Sequence, residues 1–113
     1  MLIFKIVHAD EWSEAERAGS YAGSAKDKAD DFLHFSTASQ LAETLRRYYA
    51  GARDLLLIAA DDAALGDALK WEHAPSRGEA FPHLFGALPL SAVIWIRPVG
   101  RDCDGTAILP SLS

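Results

Sequence analysis

The chain has one cysteine, Cys103, among 113 residues, so it forms no internal disulfide and is not a small secreted domain built on a disulfide framework. That thiol stands in the polar stretch Arg101-Asp102-Cys103-Asp104-Gly105, where carboxylates disfavour the thiolate that a nucleophile requires. No apolar run approaches the ~20 residues that span a bilayer. The opening Met1-Leu2-Ile3-Phe4-Lys5 lacks the basic-then-apolar layout of a signal peptide. A soluble, cytoplasmic protein is therefore expected, as a monomer or weak homodimer. Positive charge is scarce, with 11 Lys and Arg against 16 Asp and Glu and a formal charge of -5. That balance weighs against non-specific nucleic-acid or anionic-membrane binding and leaves room only for a local basic pocket. Internal repeats, low-complexity tracts and linkers are missing too.

Catalytic and metal signatures are equally sparse. His8, His34, His73 and His83 show no HxH, HExxH or Cys/His spacing, so no metal site is expected. No serine sits in a nucleophile elbow, and His34 and Ser36 on one strand could meet only by leaning together, which argues against a protease-like triad.

What the chain has is apolar residues, 50% of the total, in a length near the commonest domain size. That is enough for one core without disulfides or a structural metal. One domain over residues 1–98 is expected, with 99–113 as its C-terminal extension. Leu2 to Val7 reads as a strand interrupted only by Lys5. Asp10 suits the N-cap of a short helix that turns Trp12, Ala15 and Ala18 inward and stops at Gly19. Ser20 to Asp31 shows no clear period and reads as a loop, long enough to act as a lid. Phe32 to Ser36 reads as a second strand, followed by the capping-box pair Thr37 and Gln40. The helix opened there carries Ala38, Leu41, Ala42, Leu45 and Tyr49 at helical spacing. Leu55 to Ala60 suits a central strand covered on both faces, capped after Asp61 or Asp62 by a turn ending near Gly66. Leu69 to Glu72 and Ala92 to Arg97 read as further strands, with Pro98 ending the last. His73 to Pro89 reads as a connecting segment. About five strands and two main helices without regular alternation predict an α+β fold with a mixed sheet.

Alternation supplies the candidate site. Leu33 and Phe35 on one strand face belong to the core, which puts His34 and Ser36 together on the other, roughly 7 Å apart at ~3.3 Å per residue. A half-buried, hydrogen-bonded histidine with a cap-assisting serine is the plainer account of the same pair. Glu72 projects opposite Trp71, either into solvent or into the same cleft as His34. Glu79 is a second acid in an apparent loop. Arg77 beside Gly78 can grip a phosphate through two hydrogen bonds, and Phe81 or Phe85 can stack on a ring, although solvation and core packing are the commoner uses. His83 beside Pro82 is rigidly placed, for a ligand contact or a loop-fixing hydrogen bond.

The order of motifs I-F-K-I, E-W, Tyr21, F-L-H-F-S-T, L-L-L-I before Asp61, K-W-E and F-P-H-L-F-G resembles a small bacterial family known as domain of unknown function 952, over residues 2 to about 98. That family is in turn distantly similar to the ADP-ribosyltransferase fold. Under that resemblance Leu33-His34-Phe35-Ser36-Thr37 matches a histidine near a strand end that holds a ribose hydroxyl of NAD. Phe35 departs from the glycine usual there, and no complete His–Tyr–Glu or Arg–Ser–Glu set is pinned by spacing. Tyr21, Tyr48 or Tyr49 would supply an aromatic and Glu72 the acid. The functions implied are an NAD or ADP-ribose-like nucleotide cleaved or transferred at the ribosyl carbon, or a non-catalytic nucleotide or metabolite module on the same scaffold. In the first, His34 and Glu72 are catalytic, and Ser36, Tyr21, Arg77, Phe81 and His83 bind the ligand. A structural or partner-binding domain would instead show an exposed apolar patch.

Overall fold

Apolar side chains on both faces make a central strand, and residues 1–112, described by a computed structural model, are arranged around one. In chain order the elements are β1 (Leu2–His8), α1 (Ala9–Ala18), β2 (Ser20–Tyr21), α2 (Ala25–Asp30), β3 (Leu33–His34), α3 (Leu41–Tyr48), β4 (Leu55–Asp61), β5 (Leu69–Ala74), β6 (Glu79–Leu84), β7 (Leu88–Pro89), β8 (Val93–Pro98), β9 (Gly100–Arg101) and β10 (Ala107–Ile108). One sheet runs β1-β4-β8, a second β3-β6-β5, and two short ribbons pair β2 with β7 and β9 with β10. Every one of these pairings is antiparallel, so the sheet is not mixed. The fold is α+β.

Alternation divides the core in two. Ile3 and Val7 of β1 join Ile58 and Ala60 of β4 on one face, packed with Trp12 and Ala15 of α1 and with Leu33, Phe35, Leu84 and Leu88. Phe4, Ile6, Leu57 and Ala59 face the other way, onto Leu41 and Leu45 of α3. Val99, Ala107, Leu109 and Leu112 close over that second cluster. The Cα radius of gyration is 13.3 Å, the ~13 Å expected of one packed domain of this length.

Several local expectations are corrected. The stretch read as an irregular lid contains α2, opened by Ser24, whose hydroxyl accepts from Asp27 N–H at 3.2 Å while Asp27 Oδ2 accepts from Ser24 N–H at 2.9 Å. Ser24-x-x-Asp27 is a capping box, hidden because the helix is too short for a visible period. His8, not Asp10, is the N-cap of α1. Ala18, Ala38 and Ala42 are exposed, since a single methyl at the margin of a helical stripe gains little from burial. Trp71 and Glu72, on opposite faces of β5, are both about half exposed, because β5 is an edge strand with most of its side chains in solvent. The segment read as a connection after His73 is mostly the β5–β6 hairpin.

The crossing of β3 between the two sheets positions the site. Leu33 and His34 pair with Leu84 and His83. Next, Phe35 N–H donates to Pro82 C=O at 3.0 Å. Pro82 has no N–H to return, so the ladder ends there. The chain moves across to β1, where Ser36 and Phe4 exchange two backbone bonds of 2.8 Å each. His34 and Ser36 therefore stand at the seam of two sheets.

Candidate functional site

That seam opens into a cleft of about 170 Å³. His34 and Ser36 come from the crossing strand, Lys26 and Asp27 from α2, Thr44, Tyr48 and Tyr49 from α3 and its end, and Arg77, Phe81 and His83 from the β5–β6 hairpin.

Behind it lies a buried ion pair. Lys5 shares the strand face of Ile3 and Val7, where an uncompensated charge would be costly. Its Nζ lies 3.2 and 3.0 Å from Asp27 Oδ1 and Oδ2 and donates to His34 C=O at 3.0 Å. Both side chains are almost wholly enclosed. Burial pulls the Lys5 ammonium below its ordinary value, against the pull of Asp27. Burial would raise the Asp27 carboxyl, but the His34 ring, Lys5 and the Ser24 amide together hold it well below the usual carboxylate range. Asp27 Oδ1 also accepts from His34 N–H at 3.1 Å and lies 2.6 Å from His34 Nδ1. His34 Nε2 lies 2.9 Å from Asp30 Oδ2, and Asp30 is in turn bonded by Lys26 at 3.3 Å.

The second wall is a hydroxyl and guanidinium array. Gln40 Oε1 accepts from Thr37 N–H at 2.9 Å, the returning half of the expected capping box, and its Nε2 donates to Ala80 C=O at 2.8 Å. That bond ties α3 to the hairpin. Thr44 Oγ1 lies 3.2 Å from Ser36 Oγ and accepts from Arg77 Nη1 at 3.2 Å, while Arg77 Nη2 reaches Gln40 C=O at 3.4 Å. The Arg77 guanidinium covers the Phe81 ring at 4.5 Å, so that ring face is already taken. Lys5 and Lys26 both meet carboxylates; among the described residues Arg77 meets none.

On the third side, Phe32 stacks on His83 with ring centroids 3.9 Å apart and touches the His34 ring at 4.5 Å. His83 Nδ1 lies 2.8 Å from Glu72 Oε1.

The structure thus brings together five of the expected residues, His34, Ser36, Arg77, Phe81 and His83. It leaves two outside the cleft walls. Glu72 is half exposed on β5 and lies 2.8 Å from His83 Nδ1. Tyr21 is buried against Trp12, with ring centroids 5.8 Å apart, and lies under Lys5. Glu79 accepts from Gln40 Nε2 at 3.3 Å. Tyr49 lines the cleft but donates its hydroxyl to Ile6 C=O at 3.2 Å, and burial pushes its pKa up to about 12. Residues missed by sequence reasoning are Lys5, Asp27, Gln40 and Thr44. Lys5 was legible as a charge at an inward strand position, and Asp27 through the serine three residues before it. Among the described residues no three potential metal ligands gather, and no helix is long and apolar enough to cross a membrane.

Fold and site define an antiparallel α+β domain with a small cationic cleft at a sheet seam. The chain belongs to the DUF952 family, described as a protein of unknown function, whose model matches residues 6–96. It is similar to the Caulobacter crescentus protein CC0527. A crystal structure of that protein has 38% sequence identity and a TM-score of 0.89, covering 95% of this chain and 93% of that one. A solution NMR structure of the same protein has 39% identity and a TM-score of 0.81, covering 92% and 89%. No curated protein matches.

Proposed function

We propose that the cleft binds the ribose–phosphate portion of NAD or an ADP-ribose-like nucleotide in the cytoplasm, on a scaffold related to the ADP-ribosyltransferase fold, and holds it without cleaving the ribosyl bond. The observation that carries this reading is Arg77, the cleft cation with no carboxylate among the described residues, set beside Ser36 and Thr44 hydroxyls. A guanidinium can take a phosphate oxygen pair, while His34 and the hydroxyls suit sugar oxygens. Volume decides how much of the ligand enters. About 170 Å³ is less than the ~300–1,000 Å³ of sites that swallow drug-sized molecules, so a base would lie outside. Ribosyl cleavage requires a carboxylate facing the developing cation at C1′. Glu72 is outside the walls, and Asp27 is committed to Lys5 and His34.

Calorimetric titration with ADP-ribose tests the reading. Wild type should bind, and Arg77→Met should weaken binding ~10-fold or more, the worth of a hydrogen bond to a charged group. Nicotinamide release from NAD should stay at background. The reading is wrong if ADP-ribose, NAD, AMP and ribose 5-phosphate all leave heat and melting temperature unchanged.

A further inference from the structure

His34 and His83 are register partners across β3 and β6, with ring centroids 5.8 Å apart. Each ring is held by a carboxylate, but in different ways. His83 meets Glu72 through Nδ1, and its Nε2 has no hydrogen-bond partner among the described residues. In its neutral form, a ring that donates Nδ1–H to a carboxylate carries a lone pair on Nε2. His34 instead meets Asp27 at Nδ1 and Asp30 at Nε2, and both bonds form only if each nitrogen carries a hydrogen. One imidazole is arranged to accept a proton and its neighbour to give one. Phe32 packs on both rings and helps to fix their orientation.

Both rings and Arg77 line the same cleft, and a group bound there is small. Its charge follows from the neighbouring side chains. Lys5, Lys26 and the doubly protonated His34 share the two carboxylates Asp27 and Asp30, and among the described residues Arg77 meets none, so positive charge is in excess there. A phosphodiester, a monoanion, answers the Arg77 guanidinium. The small volume fits a compact one.

We propose that the cleft hydrolyses a cyclic phosphodiester of a ribonucleotide by general acid–base catalysis, an activity that rests on the ribose–phosphate reading above. His83 Nε2 takes a proton from water as the water oxygen bonds to phosphorus. The phosphorus–oxygen bond to one ribose hydroxyl position breaks, and that oxygen takes the proton from His34 Nε2. Arg77 holds the non-bridging oxygens, where charge builds in the transition state. The two rings then exchange one proton through solvent, and the product is a phosphomonoester. Asp30 leaves His34 Nε2 when the substrate enters. Its partly exposed side chain is held by His34 and by Lys26 through contacts open to solvent, a kind that contributes little.

The test is 2′,3′-cyclic AMP as substrate, followed by phosphorus NMR, with ADP-ribose binding measured on the same preparation. Wild type should yield the monoester. His83→Gln should lose at least ~100-fold in turnover, the usual worth of a positioned acid or base. Glu72→Gln, on the exposed edge strand, should lower turnover as well, so the outcome does not hang on one variant's folding. Binding of ADP-ribose without hydrolysis by wild type overturns the activity and leaves the binding reading standing. Neither binding nor hydrolysis removes both, and full turnover in His83→Gln overturns the roles assigned here.

Discussion

Asp27 does more than any other single residue to build this site. One carboxylate caps α2, neutralises Lys5 and fixes the His34 ring and backbone, with each contact between 2.6 and 3.2 Å. Removing one partner of such a buried pair leaves the other charged and unpaired, at a cost of ~3–5 kcal/mol. Asp27→Asn should therefore destabilise the protein by about that much at pH 7, read from urea unfolding. The pH dependence follows from the direction of the shift. The folded-state value lies below the unfolded value of ~3.9. Stability from Asp27 is therefore fully present above about pH 4 and fades as pH falls through the folded value. The gap between wild type and Asp27→Asn should shrink over that acid range. A gap that held constant down to pH 2 would show that the cost was steric rather than ionic.

At the scale of elements, the unit that matters is α2 followed by the crossing strand. Six residues are too few to make a helix stable alone; the Ser24 box and the buried Asp27 hold it. Gly23 makes the approach possible. It sits at φ +113°, and a Cβ there would lie 2.8 Å from Leu33 Cδ2 and 2.9 Å from Asp27 Cβ. Gly23→Ala combines a strained backbone with a clash against the core and should cost ~2 kcal/mol or more. It should also disturb the His34 ring, visible as shifted imidazole resonances in NMR. A variant that melts like wild type would mean that the loop has room to yield.

For the whole molecule, the two-sided sheet requires a cover on each face, and the chain beyond β8 provides part of one. Val99, Ala107, Leu109 and Leu112 pack on the second cluster. Arg101 donates to the carbonyls of Tyr49, Ala52 and Gly105, closing the exit from α3. Full burial of one such apolar side chain contributes ~1.5–3 kcal/mol. A chain ended after Pro98 should lose ~3 kcal/mol or more and melt at least ~10 °C lower. An unchanged calorimetric transition would show that residues 99–112 are an ornament on a domain complete without them.

Local chemistry was enough to read β1, α3 and the central β4. Their long apolar patterns specify period and face without help from distant residues. The alternation around His34 belongs with them, since steric geometry along five residues decides it. Contacts between distant segments decided the rest. Lys5 and Asp27 are 22 residues apart, and local pattern marks Lys5 as inward and Asp27 as a helix cap without showing that the two meet. Glu72 was left between solvent and the cleft because alternation names a face but not what stands opposite, and the fold puts it on the edge strand against His83 Nδ1, outside the cleft walls. α2 escaped notice because a helix this short owes its existence to a buried ion pair rather than to propensity. Pattern along the chain sets which way a side chain points, and only packing across the chain sets what it meets.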